Sequence, residues 1–421
     1  MLWTVHVVSR YEGRRRGGSL RFGTGWYAPA MRRVAGLPAV YWWLWIGYLL
    51  SSLGTFVFPF LALYLSSRGI DARQTGLVLS LLGVGAVLAG PIGGQLADHA
   101  GRKPALLLAL AFSAVSALYL GFVRSPLAIA PGVLSFGLGV SMARPAMQAI
   151  VADVLPPELL GRAYALLYWA ANVGIAVSAW IGGVLAGRTW LGLFAGDAIT
   201  TVLFAALVVF RVPESRPTPA SEARAVGWST LAGDRPFLAF LATHFAFMIV
   251  FWQFQFALPL AVVRSGFGTE EYGRMMALNC AAVFVTQPFT ARWLRAIDRG
   301  VLLAIASVWV GLGFGAYALS STMPQYYAAT LIWTIGDVVG LPLVSAVVAS
   351  MSPVALRGRY QGAQMLAQAL AMVAAPLVAG AVVDAWGLRA LWAGCVVVGF
   401  VAGVAHAVLG TARRRRAALA A

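Results

Sequence analysis

Stretches of about twenty or more apolar residues follow one another along nearly the whole chain, each long enough to cross a roughly 30 Å hydrocarbon core as a helix. Backbone polar groups find no water inside such a core, so a spanning segment must satisfy its hydrogen bonds internally. Composition agrees: 60% of the 421 residues are apolar, 11% are charged, and the mean hydropathy is +0.81. A soluble domain of this size needs far more polar surface. The expected fold is therefore all-α and membrane-embedded, with no room for a soluble catalytic domain.

Twelve transmembrane helices are expected, at about 38–66, 73–97, 103–123, 126–153, 163–187 and 190–211, then 236–263, 271–296, 300–320, 323–351, 359–384 and 389–411. The longest polar break runs from Arg211 to Arg235, holds Pro213, Pro217 and Pro219, and divides the spans six and six. The organisation read from this is a basic, disordered N-terminal segment (1–36), a first six-helix bundle (37–212), a cytoplasmic linker (213–235), a second six-helix bundle (236–411) and a basic cytoplasmic tail (412–421). Residues 1–36 lack the apolar core of a signal peptide, and Met31, just before the first span, is an alternative start.

The net charge of +17 has a topological reading. With loops assigned to alternate sides of the membrane, 23 basic residues fall on the side of both termini and 7 on the other. That asymmetry is the positive-inside pattern and puts both termini in the cytoplasm. It removes the reason to look for a nucleic-acid partner and leaves the lipid bilayer as the surrounding one. Cys280 and Cys395 lie in apolar segments and offer neither a disulfide framework nor metal-ligand spacing, so no metal and no cofactor is expected. Lys103 is the only lysine and no G-x-x-x-x-G-K-[ST] occurs, which excludes an ATP-driven pump. The four histidines show no metal-like spacing, which speaks against a membrane-embedded enzyme.

The two halves resemble each other at a constant offset of 197 residues. Pro156, Leu159, Gly161 and Arg162 fall on Pro353, Leu356, Gly358 and Arg359; Pro91 falls on Pro288, Gly139 on Gly336 and Gly183 on Gly380. A six-plus-six duplication points to two bundles around a pathway, with a binding site near the bilayer midplane.

The loop after the second span reads GQLADHAGRKPAL, Gly94 to Leu106. It resembles the signature of the major facilitator superfamily, G-x-L-a-D-r-x-G-r-k, with Asp98, Gly101, Arg102 and Lys103 matching and His99 in place of the usual arginine. The resemblance covers about residues 38–411 and implies a transporter whose loop motif latches the two halves on the cytoplasmic side. Read physically, Gly94 lets two helices approach closely, Gly101 permits a tight turn, and Asp98 sits where a carboxylate can meet a helix N-terminus or an arginine.

Two charges lie deep inside spans: Arg144 on the fourth and Asp337 on the tenth, where Leu341 is the repeat counterpart of Arg144. Either is costly unless it faces a cavity or a partner. If these spans face each other, as the resemblance implies, the two form a gating pair with Asp337 as proton acceptor. Asp197 reads as a structural hydrogen-bonding group, His244 as a packed histidine, and His406 as facing lipid or neighbours. The stretch HFAFMIVFWQFQF (244–256) supplies Phe251, Trp252, Gln253 and Gln255, which together with Trp333, Phe56 and Phe60 are candidates to line a pocket for a flat, apolar or cationic substrate.

The resemblance is greatest to bacterial drug exporters, although Val133 stands where antiporters often carry an arginine and Ser178-Ala179 where they carry Gly-Pro. The expected function is proton-coupled export of small, largely apolar molecules across a bacterial plasma membrane by a monomeric, alternating-access carrier. A metabolite or sugar importer or facilitator of the same superfamily is the alternative, and a non-transport membrane protein a remote one.

Overall fold

The computed structural model describes residues 33–34, 36–215, 229–293, 297–353 and 356–420. The expected N-terminal disorder and most of the linker fall on residues 1–32, 35 and 216–228, outside the described residues. β1 (Arg33–Val34) pairs antiparallel with β2 (Leu37–Pro38), anchored by the fully buried Leu37.

Everything else of length is helical. The first half holds α1 (Ala39–Leu53), α2 (Val57–Ser67), α3 (Ala72–His99), α4 (Arg102–Phe122), α5 (Pro126–Val154), α6 (Pro157–Arg188) and α7 (Trp190–Arg211). The second holds α8 (Ser229–Gly233), α9 (Arg235–Phe251), α10 (Gln253–Phe256), α11 (Leu258–Arg264), α12 (Thr269–Trp293), α13 (Arg299–Ala316), α14 (Met323–Met351) and α15 (Arg357–Ala420). Short polar residues start these helices by accepting from otherwise orphaned amides: Asp71 for α3, Thr189 for α7, Asp234 for α9 and Asp298 for α13.

Ten helical stretches among the described residues are long and apolar enough to cross a membrane. The last of them runs 55 residues, about 80 Å of helix, far more than one crossing needs. Gly387, at φ 80° and ψ 174°, interrupts it. α12, with Glu270 and Glu271 in its first turn, is too polar to count among the ten.

The first and seventh spans are not the continuous helices expected. The first breaks at Gly54–Phe56 and the seventh at Trp252 and Ala257. Pro59 accounts for the first break and Pro259 for the one at Ala257, because neither has an N–H to give the carbonyl four residues back, at Thr55 and Gln255.

Within the first half α3 and α4 pack on α5, and α1 on α6 and α7; within the second α13 packs on α14 and α15, and α9 on α15. The halves meet along two seams, α3 with α15 and α6 with α12. At the end carrying the His99–Arg102 turn, the apolar residues form separate clusters, one around Leu106 and Val151, the other around Phe240 and Val347. At the opposite end one cluster crosses the boundary, joining Phe60 and Leu79 to Tyr272 and Ala375. Among the described residues, the halves share a buried apolar cluster at that end and none at the other.

Glycines make the closed end. A Cβ on Gly76 of α3 would strike the Pro376 carbonyl and Gly380 of α15, and one on Gly273 of α12 would strike the Ala179 carbonyl and Gly183 of α6. Each member of the first contact lies 197 residues from its counterpart in the second, so the duplication has placed the same backbone crossing on both seams. Around Gly90 and Gly94 of α3, Gly161 of α6, and Gly358 and Gly362 of α15 an added Cβ meets nothing within 4 Å. The close approach expected at Gly94 therefore does not occur in this conformation; α3 approaches its neighbours at Gly76, Gly83 and Gly85 instead.

Candidate functional site

The turn between α3 and α4 needs glycine at position 101, where φ is 109° and ψ 168°, a region closed to side chains. Arg102 then reaches Asp98, one turn back, and Asp153 at the end of α5, both at 3.4 Å. Glu214 completes the turn: its Oε1 accepts from the backbone N–H of Arg102 at 2.8 Å, capping α4 with a negative charge at its positive end. Lys103 Nζ donates to the Val209 carbonyl at 2.9 Å. Nothing in the motif marked Glu214 or Asp153 as its partners. Asp98 itself is 72% exposed, so its carboxylate is not engaged with the other half in this conformation. Gly101→Ala is expected to destabilise the protein by about 1–3 kcal/mol, because an alanine there is strained and meets the Glu214 carboxylate. A lowered Tm in detergent checks it; an unchanged Tm counts against this reading of the turn.

Arg144 and Asp337 are not brought together. Arg144 is exposed on α5, which belongs to the first half, and the ion pairs among the described residues are Asp98–Arg102, Asp153–Arg102 and Glu270–Arg274. Helix pseudo-symmetry placed them opposite one another, but with this end of the molecule parted they do not meet. Asp337 instead has the Asn279 side chain of α12 as its hydrogen-bonding neighbour, with Cys280 and the Tyr168 phenol of α6 within electrostatic range. Asn279 Nδ2 also donates to Thr334 Oγ1 at 2.9 Å. None of these companions was singled out in the sequence, where isolated Asn, Tyr and Thr residues carry no pattern.

Of the aromatic and amide candidates, Phe56, Phe60, Phe251, Gln253, Gln255 and Trp333 are buried and Trp252 is half-buried. Phe60 meets Tyr272 edge-on across the boundary between halves, and Phe251 and Phe254 pack on Trp333. Gln253 donates to Ile249 and Ala375 carbonyls, and Gln255 Nε2 donates to the Phe58 carbonyl at 2.7 Å. Phe58 and Gln255 are 197 residues apart, so repeat counterparts meet at the two helix breaks. These residues form the packed floor of the closed end. An apolar crevice of about 500 Å³ lies between α12 and α14, lined by Val285, Thr286, Phe289, Leu331, Ile335 and Val338 among others.

Asp197 is buried, and its Oδ2 accepts from the backbone N–H groups of Phe56 and Val57 at 3.1 and 3.0 Å. His244 is buried between Phe240 and Phe247, and His406 is buried against Phe240 rather than facing lipid.

A sequence profile of the Major Facilitator Superfamily matches residues 44–336 and 266–420. The chain belongs to that family. It is 24% identical over 357 residues to a Na(+), Li(+), K(+)/H(+) antiporter of Planococcus maritimus, covering 76% of this chain and 84% of that protein. It is 24% identical over 333 residues to the multidrug resistance protein MdtH of Escherichia coli (strain K12 / DH10B), covering 78% and 83%. Among solved structures it is similar to the nucleoside transporter NupG, with a TM-score of 0.74 at 15% identity over 89% of this chain and 98% of that one. It is also similar to the human organic anion transporter MFSD10, with a TM-score of 0.65 at 21% identity over 87% and 98%. At such identities the structures establish the fold alone. The chain is thus a multi-pass membrane transporter of small molecules and not an enzyme.

Proposed function

We propose that this transporter exports small, largely apolar molecules from a bacterial cytoplasm in exchange for protons, crossing the plasma membrane twelve times as a monomer with both termini inside. The observation that carries alternating access is the asymmetry of the seams: glycine crossings seal one end while the motif end stands apart. By the positive-inside pattern the parted end faces the cytoplasm. The break in α15 at Gly387 and the 25-residue length of α12 support a count of twelve.

In this reading Asp98, Gly101, Arg102 and Lys103 re-latch the motif end when it closes, with Gly94 entering a close approach only then. Asp337 carries the proton, and Arg144 comes towards it as the halves swing together. Phe251, Trp252 and Trp333, with Phe56, Phe60, Gln253 and Gln255 beneath them, are uncovered to substrate when the floor opens. The apolar crevice and the names of the bacterial relatives support apolar cargo and exchange over sugar import. One charge moved across 100 mV contributes about 2.3 kcal/mol, enough for roughly fifty-fold accumulation.

The test is flux in liposomes holding the full chain under an imposed pH gradient, across a panel of radiolabelled apolar drugs. Gradient-driven accumulation is expected, and Asp337→Asn is expected to lower it at least about tenfold. Flux that continues unchanged when a protonophore collapses the gradient would identify a facilitator instead.

A further inference from the structure

We propose that the apolar crevice between α12 and α14 binds a neutral, rigid lipophile of roughly three fused rings, drawn directly from the bilayer interior. The site itself rests on packing and chemistry; that its ligand is transported cargo rests on the export reading.

The crevice lies where the second half departs from the duplication. In the first half α3 and α5 cross with their main chains in contact. A Cβ on Gly85 would strike the Leu138 amide nitrogen and the Leu134 carbonyl, and one on Gly137 would strike the Leu82 carbonyl. At the constant offset of 197, the counterparts of the two glycines are Ala282 and Thr334. A crossing with no room for a Cβ cannot be kept once both glycines are lost, and α12 packs less closely on α14 than α3 does on α5. Asn279, the counterpart of Leu82, donates from Nδ2 to Thr334 Oγ1 at 2.9 Å and bridges part of the gap. The rest stays open. Ala89 and Met142 are buried together in the first half, whereas their counterparts Thr286 and Val339 line the crevice.

The opening faces lipid. On α12 Phe284 meets Trp169 of the other half, and Ala282 and Phe289 lie about 150° round the helix from it. Val285, Phe289, Leu331 and Ile335 are exposed on the crevice walls. Among the described residues, none that lines it is charged. Its three threonine hydroxyls donate within their own helices, Thr286 to Ala282, Thr290 to Gln287 and Thr334 to Thr330. A charged ligand would give up its hydration there and gain no partner, so the lining selects a neutral, apolar one.

Size and stiffness choose between the apolar molecules a membrane offers. The volume of about 500 Å³ is roughly three times that of a cavity holding one benzene ring. The walls run from Ala282 to Thr290 and from Leu331 to Val339, about 12 Å of helix each. A phospholipid chain covers about 15 Å of a leaflet and overruns that length. It also loses rotamer freedom when held, whereas a fused-ring molecule has little to lose. Such lipophiles leave water for the bilayer, so the crevice is reached without an aqueous path.

The test is photolabelling of the full chain in phosphatidylcholine liposomes with a radiolabelled trifluoromethyl phenyl diazirine, a neutral apolar probe. Adducts are expected on Leu331 and Ile335, falling at least about threefold with excess phenanthrene and unchanged with tetraphenylphosphonium. Adducts on Val401 and Val404, exposed on the last span, report ordinary lipid contact and should not respond to phenanthrene. Thr286→Phe and Ala282→Phe each fill the crevice and should abolish the phenanthrene-sensitive labelling while keeping that at Val401. A phosphatidylcholine carrying the diazirine on its acyl chain should label Leu331 and Ile335 no more than Val401. Labelling of Leu331 and Ile335 that ignores phenanthrene, or that stays sensitive to it in both folded variants, overturns the proposal. Preferential labelling of these two residues by the lipid probe assigns the crevice to acyl chains and also overturns it. Phenanthrene-sensitive labelling with no drug flux in liposomes would sink the export reading and leave this site standing; gradient-driven flux without such labelling does the reverse.

Discussion

Gly273→Leu is expected to cut transport at least about tenfold while leaving the protein folded, and Gly76→Leu is expected to match it. Each leucine drives into main-chain atoms, at Ala179 and Gly183 in one case and at Pro376 and Gly380 in the other. Backbone carbonyls of packed helices cannot rotate aside as a side chain can. Overpacking of this kind costs about 1–3 kcal/mol, equivalent to a roughly 5- to 150-fold shift away from the closed-end conformation. The energy is lost only in the conformation where the seam is shut, so the effect falls on cycling more than on folding. Because the two crossings are repeat counterparts, the double variant should add little to either single one once the end has sprung open. Gly394→Leu provides the control, since an added Cβ there meets nothing. The direct readout is thiol labelling of Thr75→Cys, a position 2% exposed at the α3–α15 seam, with Cys280 and Cys395 replaced. Labelling should accelerate in both leucine variants and stay slow in Gly394→Leu. Normal transport and slow labelling in Gly273→Leu and Gly76→Leu would refute the glycine seal.

Hydropathy places helix ends well where a cap or proline marks the membrane edge: 190–211 and 323–351 are observed as read, and 126–153 differs by one residue. It does not register the breaks in the first and seventh spans, because a local break in hydrogen bonding leaves the span's mean apolarity unchanged. Pro59 and Pro259 were the available signals. The motif turn was legible where its chemistry is local, at Gly101 and the Asp98–Arg102 pair, and not where it reaches Asp153, Val209 and Glu214. The Asp337 surroundings were not, since Asn279 and Tyr168 are about 60 and 170 residues away and only the seam between α6 and α12 brings them near. The repeat offset came closest to three dimensions. It already paired Gly183 with Gly380, and the same register pairs Gly76 with Gly273, but sequence alone does not say which end of two related bundles is shut. For the aromatic stretch the limit is different: a ring lining a floor and a ring facing lipid share the same periodicity.

Asp197→Ala is expected to produce the largest loss of stability among single polar substitutions in the first half. The break at Gly54–Phe56 frees backbone amides that no turn of helix satisfies, and Asp197 Oδ2 accepts from two of them, at Phe56 and Val57. The acceptor sits at the N-terminus of α2, where a negative charge is favoured. Removing it leaves the Val57 N–H unpaired, at about 1–3 kcal/mol, and the Phe56 N–H with the Gly54 carbonyl alone; Thr200 and the Phe56 ring already crowd the space at Gly54 and Gly196 that water would need. A fall in Tm of at least about 5 °C in detergent is the expected result. Asp197→Asn keeps one carbonyl oxygen for the same amides and should lose less than half as much. Equal losses in the two variants would mean that charge, not the hydrogen-bond acceptor, holds the break; an unchanged Tm in Asp197→Ala would remove Asp197 from the structure of the break altogether. The consequence reaches the other half, because the next residue, Phe58, gives its carbonyl to Gln255 at the break in the seventh span. Loss of the cap should therefore weaken that cross-half bond, and Gln255→Leu should destabilise less in the Asp197→Ala background than in the parent.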